Sequence, residues 1–333
     1  MTSPDTRRSQ PYDIIEAFEK IIKKYRWIEV PSDTQISSKN TTVVKISTES
    51  NTASEILQIL RNHTVSKLVT KPTKQLKTPL LTLTECDQKY HLLVMITTQP
   101  NSFERRSNIR TTWASTWHHR TDLLKWKTVF QLGQSEKTKV QEKVRMESAK
   151  HGDMIIGDFI DTFYKLPIKV IMAFEWATKF CDFEYLIKTD DDVFVNIPNI
   201  FKFLKSPDYP KIRLYAGNVH FAQDAIRSPR IERHKKYKVT REEYPYNRYP
   251  RFCSGGGMVF SRDVVADMVN IHNNSKYFKL DDVYIGMLAL RLGVDAHHGD
   301  KFRLDSTDCY CDKNAIVSHG ADSKHCMDKL YNC

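Results

Sequence analysis

The chain has 333 residues, 40% hydrophobic and 11% aromatic, which excludes a mainly disordered protein, because that much apolar surface offsets the entropy of ordering a chain. Lysine and arginine number 51 against 40 aspartate and glutamate, a net charge of +11 that favours an acidic partner such as nucleic acid, an anionic membrane or a phosphorylated small molecule. Nucleic acid is set aside: no basic block carries interleaved aromatics or a recognition motif, and the densest basic stretch, RIERHKKYK at 230–238, holds its own Glu232.

Residues 1–80 are rich in Lys, Ser and Thr, with an amphipathic helical candidate at 13–25 (Ile14, Ile15, Phe18, Ile21 and Ile22 on one face) and another at 54–61. The piece between them reads as linker. No run reaches the roughly 18 to 20 apolar residues that span a bilayer, and MTSPDTRRSQPYD lacks the apolar core of a signal peptide. Asn40, Asn62 and Asn273 nevertheless begin N-x-S/T sequons, compatible with glycosylation in a secretory lumen although such short matches also arise by chance.

From Cys86 the character changes. HLLVMITTQP is a buried strand ended by Pro100, and FERRSNIRTTWASTW places Arg106, Arg110 and Trp113 at helical spacing. WKTVFQLG is a second strand, followed by a charged helix of about 15 residues from Ser135. DMIIGDFID is a third strand, and LPIKVIMAFEWATKFC a helix with Pro167 in its first turn. A fourth strand leads through YLIKTDDDVFVN. Strands alternating with helices predict an α/β fold, a mostly parallel central sheet flanked by helices.

In such sheets ligands bind outside the carboxyl ends of the strands, where Asp190, Asp191 and Asp192 fall. Three adjacent carboxylates repel and raise one another's proton affinity unless a cation is present. A hard divalent metal removes the conflict, often with one or two carboxylates and with substrate phosphates completing its shell. In an extended segment Asp190 and Asp192 point one way and Asp191 the other. A solvated acidic turn is the plain alternative, and the apolar runs on both sides weigh against it.

Further on, the glycines of CSGGGMVFS (253–261) allow close backbone approach to a ligand, though taken alone they read as a tight turn rather than a Walker or dinucleotide loop. LDDVYIGMLALRLG (280–293) is a helix with Asp281 and Asp282 at its start, where the dipole favours them, so capping competes with a role as base. His319 follows the strand-like AIV, and a lone histidine is more often structural. The last stretch crowds Cys309, Cys311, Cys326 and Cys333, which points to disulfides in an oxidising compartment. Zinc held by these cysteines with His319 and His325 is the rival reading, but the spacing fits no common zinc pattern. Seven cysteines leave at least one unpaired within the chain.

In this order, ERRSNIRTTW, FQLG, DFIDTFYKL, IKTDDDVFVN, YAGNV, YPRFCSGGG and LDDVYIG resemble the β1,3-galactosyltransferase family of sugar-nucleotide-dependent transferases (glycosyltransferase family 31), over about residues 90–320. The resemblance implies a GT-A type nucleotide-sugar-binding fold in which a DxD-type motif holds Mn²⁺ against the UDP diphosphate. By position, Asp192 is the direct metal ligand with Asp190 alongside and His319 as a further one. Asp190 and Asp191 serve the ribose and donor sugar; Arg106, Arg110, Lys188, Gly255 and Gly256 belong to the donor site. Asp282 is the expected base of an inverting transfer, with Asp281 orienting it or binding acceptor. Galactose is the first expectation for the sugar, N-acetylglucosamine or N-acetylgalactosamine the alternatives, and a catalytically silent glycan-binding member the rival class. The partners implied are a UDP-sugar and a glycan on protein or lipid.

Two departures stand out. Ala114 takes the place of a common Gly after Trp113. Family members are Golgi membrane proteins with lumenal catalytic domains, whereas residues 1–85 read as a stem-like region without an anchor; residues 86–333 then form the catalytic domain with its Cys-rich tail.

Overall fold

The computed structural model describes residues 80–82, 85–114, 124–304 and 309–333. The helical candidates at 13–25 and 54–61, and the sequons at Asn40 and Asn62, lie outside these residues.

The expected alternation is present as β1 (Lys89–Thr97), α1 (Phe103–Thr111), β2 (Trp126–Gln134), α2 (Thr138–His151), β3 (Met154–Ile160), α3 (Leu166–Phe180) and β4 (Asp182–Asp190). Then come β5 (Val193–Val195), α4 (Ile197–Lys205), β6 (Tyr215–His220), β7 (Phe252–Ser261), α5 (Arg262–His272), α6 (Asp281–Arg291), β8 (His297–His298), β9 (Phe302–Arg303), β10 (Val317–His319) and α7 (Lys324–Tyr331). Among the described residues seven strands form one sheet, ordered β3-β2-β1-β4-β7-β6-β8, and three more form a small sheet, β5-β10-β9. The first four strands of the large sheet run parallel, while β7 is antiparallel to both β4 and β6.

Continuous apolar runs suit strands covered on both faces. Leu93 and Met95 of β1 face a core shared with α3, α5 and α6, whereas Leu92, Val94 and Ile96 face a second core shared with α1 and α4. The helix α3 is buried nearly all round, from Pro167 in its first turn to Ala177. Trp176 within it is fully buried, so its truncation to Ala costs about 3–5 kcal/mol. Local signals set the helix ends. Gly152, at φ 63°, closes α2 in the left-handed conformation that glycine adopts freely. The Asn196 side chain accepts from the Asn199 N–H to start α4.

The edge strand β3 receives an incoming segment. Leu80 bridges Gly157 in antiparallel fashion, the Leu81 N–H donates to the Ile156 carbonyl at 2.8 Å, and the Thr82 hydroxyl donates to the Met154 carbonyl at 3.1 Å. A disulfide from Cys86 to Cys181 then ties the approach to β1 to the end of α3.

The tail resolves the cysteine question. Cys309 pairs with Cys326 and Cys311 with Cys333, so no thiolate remains there for zinc, and Cys253 is the buried free cysteine. Among the described residues no helix is long and apolar enough to cross a membrane. Asn273 lies exposed at the end of α5.

Candidate active site

The strand order reverses at β1: β2 and β3 lie to one side and β4 to the other. Crossovers leave opposite faces there, which opens a crevice at the carboxyl ends of β1 and β4. Thr97 and Asp190 are register partners at those ends. A cavity of about 680 Å³ occupies the crevice, and Asp190, Asp191, Asp192, Gly255, Gly256, Asp281, Asp282 and His319 all line it.

The triplet is not extended, which corrects the alternating orientation expected above. The strand ends at Asp190, and residues 191–192 turn into β5. The turn is held because the Asp191 N–H donates to the Thr97 carbonyl at 3.1 Å, and all three side chains reach the cavity. Asp191 is buried and accepts from the Thr98 hydroxyl at 2.6 Å and from Arg105 Nη1 at 2.8 Å. Asp192 faces outward, with Arg105 Nη1 at 3.6 Å and His319 Nε2 at 3.8 Å from its Oδ2. Register explains the last contact: β10 pairs antiparallel with β5 so that His319 opposes Val193, and the Ala321 N–H donates to the Asp192 carbonyl at 2.8 Å. His319 Nδ1 is buried without a partner, so Nε2 is the nitrogen it presents to the cavity. Among the described residues no group of three or more His, Cys, Asp or Glu side chains forms a ready-made metal cage. What converges is the pair Asp192 and His319, with Asp190 at the end of β4 lining the same cavity.

The CSGGG glycines lie within β7, in extended backbone and not in a tight turn, and none of the three has positive φ. Their role is close packing. A Cβ on Gly257 would come within 3.0 Å of the Val317 side chain, and one on Gly256 within 3.0 Å of Leu304. The β4–β7 register runs as far as Thr189 and Gly257. Beyond it, β4 side chains satisfy the β7 carbonyls: Thr189 Oγ1 donates to Gly256 at 2.8 Å and Lys188 Nζ to Gly255 at 2.6 Å.

Lys188 is 1% exposed and also pairs with Asp190 at 2.8 Å and Asp281 at 3.3 Å. Burial alone would lower its pKa, but these two carboxylates hold it above its ordinary value. Asp190, at the cavity wall, is pushed up to about 6 by burial against the pull of Lys188. Asp282, in the first turn of α6, accepts from the Val283 N–H at 2.8 Å. Burial first, and then the charge of Asp281, pushes it up to about 7. A carboxylate poised near neutrality, beside a cavity, has the proton affinity that general-base chemistry requires.

Arg106 and Arg110 do not reach the cavity, contrary to the expectation that they line the donor site. Their shared helix face turns onto α2. Arg106 is fully buried and binds Glu147 through Nε (2.9 Å) and Nη2 (2.6 Å), while Arg110 forks onto Asp153 at 2.7 and 2.8 Å and also meets Glu147. Arg106 Nη1 also donates to the Gln99 carbonyl at 2.6 Å, which fixes the loop after β1. The arginine that enters the cavity is Arg105, about 100° round the helix from Arg106. Sequence reading also missed Lys169 and Asp161. This buried pair at 2.8 Å lines the cavity, and Lys169 Nζ donates to the Thr98 carbonyl at 2.9 Å. The available signal was the DFID block, which ends on Asp161 where β3 runs out.

A second cavity of about 650 Å³ lies on the far side of the β5–β10 ladder, with Trp113, Phe194, Ile197 and Leu330 in its wall and none of the carboxylates described above.

The chain is similar in sequence to known proteins. The Galactosyltransferase family model matches residues 104–300. Beta-1,3-galactosyltransferase 5 of Pan troglodytes is 35% identical over 213 residues, covering 63% of this chain and 69% of that protein. Beta-1,3-galactosyltransferase 1 of Mus musculus is 34% identical over 213 residues, 63% of each. Lactosylceramide 1,3-N-acetyl-beta-D-glucosaminyltransferase of Homo sapiens is 34% identical over 212 residues, 61% of this chain and 54% of that one. Among solved structures, a Pyrobaculum calidifontis mannosyltransferase in complex with GDP-mannose and Mn²⁺ aligns over 73% of this chain and 65% of its own at 15% identity. Its TM-score is 0.35, too low to carry an argument.

Proposed function

The chain belongs to the galactosyltransferase family, and from that premise we propose that it transfers galactose from UDP-galactose to a glycan hydroxyl in β1,3 linkage, with inversion, on a glycoprotein or glycolipid. The observation that carries this reading is one cavity bearing two carboxylate sets. Asp190, Asp191 and Asp192 stand at the strand ends, and Asp281 and Asp282 at the start of α6. N-acetylglucosamine is the second donor considered, because one relative of comparable identity carries that sugar in its name.

The residues present fit a divalent cation, and Mn²⁺ is the one proposed. Asp192 and the outward nitrogen of His319 supply a carboxylate oxygen and an imidazole 3.8 Å apart, and Asp190 lines the same cavity. One or two carboxylates with substrate phosphates make a full shell for a hard cation. When bound, such an ion neutralises the charge of a departing diphosphate. Arg105, already on Asp191 and near Asp192, adds positive charge on the same side.

The chain's own groups do the rest. Asp282 accepts the proton of the incoming acceptor hydroxyl, a general-base contribution of roughly 10²–10⁴-fold. Gly255 and Gly256 line the same cavity, on the wall where the donor sugar is placed. The Lys169–Asp161 pair and the Arg106–Glu147 fork hold the wall formed by the loop after β1. The disulfides support action in an oxidising lumen, which we take to be the Golgi, with residues 1–85 as a stem.

The test is UDP release by the purified protein with Mn²⁺, from UDP-galactose, UDP-N-acetylglucosamine and UDP-N-acetylgalactosamine, across a panel of sugar acceptors with EDTA controls. Acceptor-dependent, EDTA-sensitive release from UDP-galactose is expected. Mn²⁺-dependent UDP binding with no release from any donor would instead favour a glycan-binding role.

A further inference from the structure

Resting on the assignment of Asp282 as base, we infer that Lys188 is a positioning residue which sets the base relative to the donor site, and that it makes no contact with the donor itself. An ammonium has three N–H donors. Those of Lys188 are met by Asp190 Oδ1 at 2.8 Å, the Gly255 carbonyl at 2.6 Å and Asp281 Oδ2 at 3.3 Å, with 1% of the side chain exposed. None is left for a ligand.

The three partners come from three elements. Asp190 ends β4, Gly255 lies in β7, and Asp281 opens α6. The helix start carries no side-chain cap, so its first turn is held through its carboxylates and not by an N-cap side chain. A Cβ on Gly255 would lie 3.4 Å from Lys188 Nζ, 3.8 Å from Asp281 Oδ2 and 3.9 Å from Asp190 Oδ2, which places this glycine directly over the cluster.

The consequence is rotational. Consecutive residues of a helix project about 100° apart, so fixing Asp281 against Lys188 fixes where Asp282 points. Asp281 takes the cation, and Asp282 has its own helix's Val283 N–H as a hydrogen-bond donor. Without the tie α6 can roll at its first turn, and a displacement of about 1 Å in a reacting group is enough to lose roughly 10²-fold in rate.

The experiment is a double-mutant cycle with Asp281→Asn and Lys188→Met, reading kcat, donor KM, UDP affinity by calorimetry with Mn²⁺, and hydrogen exchange of the first turn of α6. Asp281→Asn leaves one cation facing one carboxylate, so it keeps the fold and carries the test even where Lys188→Met does not fold. Its kcat is expected to fall about 10- to 100-fold. UDP affinity should stay within about twofold, because the α6 arm alone is cut, and exchange at residues 281–285 should accelerate. The double variant is expected to turn over no more slowly than Lys188→Met alone. Independent, multiplying losses in kcat, or a loss of UDP affinity in Asp281→Asn, would overturn the tie. Asp282→Asn is measured in parallel: undiminished turnover there would remove the base assignment, while coupling between Lys188 and Asp281 would still report the tie.

Discussion

At the scale of the residue, Asp282 carries a conflict between stability and chemistry. Its pKa is pushed up to about 7 by burial and by Asp281, whereas an ordinary aspartate lies near 4. A carboxylic acid whose folded pKa exceeds its unfolded one destabilises the fold as it ionises. The cost is absent below the unfolded value, grows as pH rises between the two, and is complete above about 7. Asp282→Asn should therefore raise the melting temperature at pH 8 and leave it unchanged near pH 4, while kcat falls by roughly 10²-fold or more with UDP affinity retained. In the proposed role of base Asp282 must be ionised to act, so kcat of the parent protein should climb with pH towards a plateau above about 7. A pH-independent kcat between 5 and 8, together with an unchanged melting temperature in Asp282→Asn, would show a structural carboxylate. Arg105 illustrates what the sequence conceals at this scale. Arg105 and Arg106 are adjacent and chemically identical, and which of them enters the cavity depends on Glu147 and Asp153, acids some 40 residues away that claim the other face of α1.

At the scale of the element, β1 to β4, α2, α3 and α6 were legible within a few residues, because strands covered on both faces must be continuously apolar and helix α3 is buried nearly all round. Strands β8 and β9 were not, since two residues carry no period, whereas the strand-like AIV run led into β10. The glycines of β7 read as a turn because φ freedom is the commoner use of glycine, while here they are extended: Gly256 and Gly257 make room for Leu304 and Val317, and Gly255 lies over Lys188. The site followed the same division: the carboxylates announce themselves by residue type, and the cations that pair with them are assigned by tertiary contact. The tail gives an element-scale prediction. Residues 309–333 carry His319 on β10 and are stapled by Cys309–Cys326 and Cys311–Cys333. A disulfide closing a loop of this size contributes about 3 kcal/mol, here spent on a short segment outside the large sheet. Cys309→Ser with Cys326→Ser should lower Mn²⁺-dependent UDP affinity by about tenfold or more as His319 loses its place, with near-UV circular dichroism of the main sheet largely kept. Unchanged affinity would mean that β10 holds His319 without the staple.

At the scale of the whole molecule, the question is where the self-sufficient unit begins. Local interactions start at Leu80, whose bridge to Gly157 opens a short run of contacts along β3 that continues through the Leu81 and Thr82 hydrogen bonds and is locked by Cys86–Cys181. The sheet edge is thus covered by a segment that precedes the first strand, and a chain starting at Cys86 would leave that edge open to pairing with another molecule. Met1–Thr70 and Lys71–Cys333 are two compact units. Tolerance to truncation follows the burial and hydrogen bonding of the affected backbone. Removing residues 1–70 should then shift the melting temperature of the remainder by less than about 2 °C, under about 1 kcal/mol for a domain of this size, and leave UDP release per molecule unchanged. Removing residues 1–85 should do more: the Leu80–Thr82 pairing goes with them, and the protein should become less stable and self-associate through β3, as read by light scattering. Equal behaviour of the two truncations would show that the covering segment adds nothing, and a loss of activity on removing residues 1–70 would assign the N-terminal region a part in the reaction.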